Sequence, residues 1–87
     1  MELIHLTYQS YAITAYHQQG ETMQKIVFLH GGGLDNAMLS WKEVIEQMGT
    51  QYDIYAIDLL GYGASDKPDI VYSIPMYVDF LHSILGQ

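Results

Sequence analysis

The sequence predicts an α/β fold, in which an antiparallel hairpin leads into a parallel βαβα unit. Three observations predict it. Two early segments mix β-branched and aromatic residues with polar ones, the composition of half-buried strands. Two later segments are short, continuous apolar runs, as strands of a parallel sheet are. Apolar residues at helical spacing follow each of those runs.

The elements follow in chain order. Glu2 to Tyr8 carries Ile4, Thr7 and Tyr8, and Tyr11 to His17 carries Ile13, Thr14 and Tyr16. Gln9 and Ser10 separate them, so they read as antiparallel neighbours. Gln18-Gln19-Gly20-Glu21 reads as a turn in which Gly20 supplies positive φ. Lys25-Ile26-Val27-Phe28-Leu29 reads as a strand buried on both faces. Ser40, with Glu43 three residues on, fits a capping box. Trp41, Val44, Ile45 and Met48 then share one helical face, and Gly49 ends the helix. Tyr52 to Ile57 is the next buried strand, and Asp58 to Asp69 a long loop. Ser73 and Pro75 open a second helix. Its apolar stripe is Ile74, Tyr77, Val78, Leu81 and Leu85, and Gly86 is its end.

Composition narrows the function. Eighty-seven residues allow one small unit with a thin core. The net charge is −7, and the only cations are Lys25, Lys42 and Lys67, scattered along the chain. No basic patch exists to neutralise phosphates, so neither nucleic acid nor an anionic membrane is expected as a partner. There is no cysteine, hence no disulfide framework and no thiolate metal site. His5, His17 and His82 lack metal-ligand spacing and read as surface or packing residues. Asp35, Glu46, Asp69 and Asp79 read as solvated acids or caps. No signal peptide or membrane-length apolar run is apparent, and the expected setting is cytoplasmic.

Two segments carry chemistry. His30-Gly31-Gly32-Gly33 stands directly after an apolar strand and before a helix. Free backbone N–H groups there can converge on a negative charge. Read alone, this loop fits an oxyanion hole, a phosphate loop or a plain glycine-rich turn. Gly31-x-Gly33-x-x-Asn36 comes close to a dinucleotide fingerprint, and Asp58 stands where a ribose-binding acid would. The second segment is Asp58-Leu59-Leu60-Gly61-Tyr62-Gly63-Ala64-Ser65-Asp66-Lys67-Pro68. A dinucleotide-binding unit has no use for it. Ser65 is not in a G-x-S-x-G elbow, so Ser65 and Asp58 read as turn and cap residues.

Together the two segments resemble the N-terminal portion of the α/β-hydrolase superfamily. Its members pair an HG-x motif after strand three with a D-x-x-G-x-G-x-S loop after strand four. The resemblance is greatest to the branch of C–C bond hydrolases, haloalkane dehalogenases and esterases. It implies a sheet order of 1-2-4-3. It also implies that Gly32, with Gly33 as a second candidate, donates its N–H to an oxyanion. His30, Gly31, Asp58, Gly61, Gly63 and Ser65 would support those loops. The nucleophile, acid and catalytic histidine of the family come later in the chain order, beyond residue 87. Residues 1–87 are therefore expected to be a partial, truncated domain with no second domain and no activity alone. Ester, amide, C–C or C–halogen hydrolysis on a small-molecule substrate is expected of a full-length form, without cofactor or metal. Two alternatives stand beside this. One is a non-catalytic module that self-associates through the exposed edge of Lys25–Leu29. The other is a nucleotide-binding fragment.

Overall fold

A computed structural model describes residues 1–87. The order is β1 (Glu2–Tyr8), β2 (Tyr11–Gln18), β3 (Lys25–Leu29), α1 (Ala37–Met48), β4 (Asp53–Ile57) and α2 (Ile74–Leu85). The strands form one sheet in the order β1-β2-β4-β3, as the resemblance implies. β1 pairs antiparallel with β2 from Glu2↔His17 to Tyr8↔Tyr11. Gln9 makes the tight reversal at a φ of 55°. β2 pairs antiparallel with β4. β3 pairs parallel with β4 from Lys25↔Asp53 to Leu29↔Ile57.

The sheet buries both of its faces, each under one helix. Side chains alternate across a strand, so Ile54 and Ala56 point one way and Ile57 the other. On the first face Ile54 and Ala56 pack with Ala37 and Ile45 of α1, joined by Tyr16, Phe28 and Trp41. The Phe28 and Trp41 rings lie 4.7 Å apart. On the second face Ile13, Ala15 and Ile57 pack with Phe80 and Ile84 of α2, together with Tyr8 and Leu60. The Tyr8 ring meets Phe80 edge-on at 5.3 Å.

Four local expectations need correction. α1 begins three residues before Ser40. Its N-cap is Asn36, whose side chain accepts the Leu39 N–H, and Ser40 lies inside the first turn. β3 is not buried on both faces. It is the edge strand, and Val27 is 38% exposed. The buried face of α2 is Tyr77, Phe80, Leu81 and Ile84, an i, i+3, i+4, i+7 set. Ile74, Val78 and Leu85 of the expected stripe face outward, Ile74 at 77% exposure. Gly20 does not take positive φ. It is needed because a Cβ there would collide with the Tyr52–Asp53 backbone. The N-cap of α2 is Ser73, as expected, with Pro75 in the first turn.

Candidate functional site

The register of two parallel strands builds the site. Leu29 ends β3, Ile57 ends β4, and these two residues are paired. The next residue on each strand is therefore His30 and Asp58, side by side at the carboxyl ends of the sheet. Ligands of open α/β sheets bind at these ends.

Asp58 is 1% exposed, yet each of its polar atoms is satisfied. Oδ1 accepts the Ala37 N–H at 2.8 Å. Oδ2 accepts the Ala64 N–H at 2.9 Å. Its own N–H donates to the Thr14 carbonyl, and its carbonyl accepts the Ser65 hydroxyl at 2.6 Å. α1 has no acid in its first turn. Asp58 supplies that charge from the end of β4, where the helix dipole favours it.

Ser65 is 3% exposed and equally engaged. While donating to Asp58 it accepts the Thr14 N–H at 2.9 Å. Asp66 extends this seam by exchanging hydrogen bonds with both backbone groups of Ala12. The 58–66 loop thus occupies the free upper edge of β2, beyond its ladder with β4. Gly61 and Gly63 take positive φ of 91° and 53° to make the bends. A Cβ on Gly63 would also run into the Asp58 carboxylate.

His30 joins the two loops. Its Nε2 accepts the Leu59 N–H at 3.0 Å, so that nitrogen carries no proton. Nδ1 then bears the hydrogen and donates to the Gly31 carbonyl at 2.6 Å. Both ring nitrogens are used, which leaves neither free to act as a base. The Tyr62 ring stands edge-on to the imidazole at 5.1 Å.

The three glycines differ in their amides. The Gly31 N–H donates to the Asp35 carboxylate at 3.1 Å. Asp35 also accepts the Asn36 N–H and, at 2.7 Å, the Ser40 hydroxyl. The Ser40 hydrogen bond is the largest cause holding its carboxyl below the ordinary aspartate range. Asp35 is therefore a clamp between the glycine loop and α1, a role that its sequence context did not signal. The N–H groups of Gly32 and Gly33 make no hydrogen bond within the chain. Gly33 takes a φ of 79°, a left-handed bend that favours glycine. No group of three His, Cys, Asp or Glu side chains is arranged to hold a metal ion. No helix is long and apolar enough to cross a membrane.

Comparison with known proteins agrees with this geometry. Residues 26–87 match the family model described as "Alpha/beta hydrolase family". The chain belongs to that family. It is 33% identical over 73 residues to the 2-hydroxy-6-oxo-6-(2'-aminophenyl)hexa-2,4-dienoic acid hydrolase of Metapseudomonas resinovorans. That match covers 83% of this chain and 25% of the relative. A haloalkane dehalogenase of Agrobacterium fabrum is also 33% identical, with 82% of this chain and 25% of the enzyme covered. The chain thus spans about a quarter of the length of these curated relatives. Among solved structures, a mutant of the haloalkane dehalogenase DatA from Agrobacterium tumefaciens superposes with a TM-score of 0.81 at 27% identity. It covers 98% of this chain and 29% of that one. A serine hydrolase involved in carbazole degradation superposes with a TM-score of 0.86 at 24% identity, covering 98% and 33%. The second likeness shows the fold alone.

Proposed function

We propose that residues 1–87 supply the oxyanion side of a hydrolase site whose nucleophile, acid and histidine come from further polypeptide. One observation carries the reading. The Gly32 and Gly33 amides are free at the carboxyl end of β3, while the Gly31 amide, the His30 ring, Asp58 and Ser65 beside them are consumed by structural hydrogen bonds. An attacked carbonyl oxygen gains negative charge, and fixed N–H donors stabilise that charge without reorganising. One such donor is worth about 2.7–4 kcal/mol of transition-state stabilisation. Hydrolysis of esters, amides, C–C or C–halogen bonds would each use such a loop, and the relatives' names span part of this range.

The chain alone should show no turnover, since a covalent intermediate needs an activated nucleophile. Ser65 cannot serve, because its hydroxyl is already donated to Asp58. The test uses p-nitrophenyl esters and two proteins. One is residues 1–87. The other is a hybrid in which they replace the matching segment of the Metapseudomonas hydrolase. Hydrolysis by the hybrid and none by the short chain is the expected result. A burst of p-nitrophenol from residues 1–87 alone contradicts the division of labour.

The nucleotide-binding alternative needs a free acid at Asp58 for a ribose hydroxyl. Both oxygens of that carboxylate are occupied by backbone N–H groups, which removes the motive for this reading.

The open edge of β3 favours a second reading, self-association. Lys25–Leu29 is paired on one side only, so its other side presents a row of unpaired backbone donors and acceptors. Such a row accepts another strand, and the same strand of a second copy satisfies it reciprocally. Sedimentation across a hundredfold concentration range tests this. A dimer at high concentration supports it, and a monomer throughout excludes it.

A further inference from the structure

The Tyr62 side chain has no assigned part in the structural seam around Asp58. Gly61, Ala64 and Ser65 around it in the loop are tied down. Gly61 N–H donates to Asp66, Ala64 N–H to Asp58, and Ser65 hydroxyl to Asp58. The Tyr62 backbone also takes part, with its N–H on Leu59 and its carbonyl accepting from Ser65. The phenol hydroxyl, by contrast, makes no hydrogen bond within the chain, whereas those of Tyr8, Tyr72 and Tyr77 each do. The residue is only partly buried.

The phenol tip stands at the glycine loop. A Cβ built on Gly32 would stand 3.4 Å from the Tyr62 hydroxyl oxygen, and no other heavy atom outside Gly31–Gly33 lies within 4 Å of it. The hydroxyl therefore lies beside Gly32, on the side where a side chain of that residue would project. An oxygen atom accepting two hydrogen bonds sits about 2.8–2.9 Å from each donor. A phenol tip in contact with the Cβ position of Gly32 can reach an oxygen that the amide of the same residue also reaches. The His30 imidazole, fixed at both nitrogens, packs edge-on against the ring.

We propose that the Tyr62 hydroxyl is a further donor to the oxyanion, acting beside the Gly32 amide. The inference rests on the oxyanion reading of Gly32 and Gly33 and adds a side chain to it. A hydroxyl is suited to this place. It is neutral, so it does not trap a substrate carboxylate as a lysine would, and it strengthens as the oxygen gains charge. The site then combines two rigid backbone donors from the β3 loop with one side-chain donor from the β4 loop. Both loops are anchored to each other through His30 and Leu59.

The test uses the 87-residue chain and dimethylphosphinate, a tetrahedral monoanion that mimics the charged oxygen. Backbone amide NMR shifts are followed during titration, for the unaltered chain and for Tyr62→Phe. Phe keeps the ring against His30 and removes only the donor. The Leu59 amide, held by His30, reports that the loop remains folded in the variant. Saturable shifts at Gly32 and Gly33, with affinity about tenfold weaker in Tyr62→Phe, are expected. Equal affinity in the two proteins overturns the role of Tyr62 and leaves the glycine reading standing. No shift at Gly32 or Gly33 in the unaltered chain overturns both. Tyr62→Leu, which removes ring and donor together, should weaken binding at least as much as Tyr62→Phe. If Leu weakens it and Phe does not, the ring acts only by packing and the proposal fails.

Discussion

The Ser65 hydroxyl donates to the Asp58 main-chain carbonyl at 2.6 Å, which ties the loop after β4 back to its own start. Ser65 closes the link by accepting the Thr14 N–H. Ser65→Ala leaves a buried carbonyl and a buried N–H without this partner. Such orphaned groups cost about 1–3 kcal/mol. Urea unfolding should show that loss. A fluorophosphonate probe should not label Ser65 in the unaltered chain, because the oxygen is buried and its proton is committed.

Gly63 and Gly33 separate two reasons for glycine. Both have positive φ, 53° and 79°. A Cβ on Gly33 meets nothing within 4 Å, whereas one on Gly63 collides with the Asp58 carboxylate. Gly33→Ala should therefore cost only the left-handed backbone term, about 1–2 kcal/mol. Gly63→Ala should cost clearly more and should also loosen the Ala37 end of α1. Thermal melting of the two variants side by side checks the order.

Asp58→Asn tests the cap on α1. The amide keeps one oxygen acceptor but turns its NH2 toward a second backbone N–H. One of Ala37 or Ala64 then loses its acceptor, at about 2–3 kcal/mol including the lost charge at the helix N-terminus. Asp58→Ala removes both acceptors and should be worse. Hydrogen exchange at the Ala37 and Ala64 amides, with urea melts, distinguishes the two variants.

Acid should weaken the far end of the sheet. Asp53 is held below the ordinary aspartate range, chiefly by the hydrogen bond from His17 at 2.9 Å. A carboxylate with a depressed folded pKa contributes stability that is fully present above its unfolded value, about 3.9. That stability is lost as pH falls through the lower folded value. Asp35 shifts in the same direction and adds to the effect. Melting temperature should fall below about pH 4, and Asp53→Asn should flatten part of that slope. An unchanged slope in Asp53→Asn would remove this pair as its source.

Much of the fold was legible because its signals are local. The apolar runs at Lys25–Leu29 and Tyr52–Ile57, the Ser73–Pro75 start and the two paired motifs each declare themselves within a few residues. The misread features depend on partners distant in sequence. The order 1-2-4-3 predicts the edge place of β3 but not the exposure of Val27 on one face, because a continuous apolar run does not encode how far the helices cover each face. Phe80 and Ile84 define the buried face of α2 because β1 and β2 lie beneath them. The helix is apolar nearly all round, so periodicity alone found Tyr77 and Leu81 but added Ile74, Val78 and Leu85, which face outward. Asn36 rather than Ser40 caps α1, and the Ser40 hydroxyl donates to Asp35 instead. In the site, the positions of His30 and Asp58 follow from two strand ends, which the sequence marks. The free Tyr62 hydroxyl depends on a loop-to-loop approach that no spacing rule reveals.

The most direct measurement is kcat of the hybrid hydrolase with Gly32→Pro. Proline removes the amide donor, and Gly32, unlike Gly33, does not take a positive φ that would bar it. With the melting temperature unchanged, kcat on a p-nitrophenyl ester should fall about 10²–10³-fold. A folded variant that keeps its kcat would contradict the assignment of the Gly32 amide to the developing oxyanion.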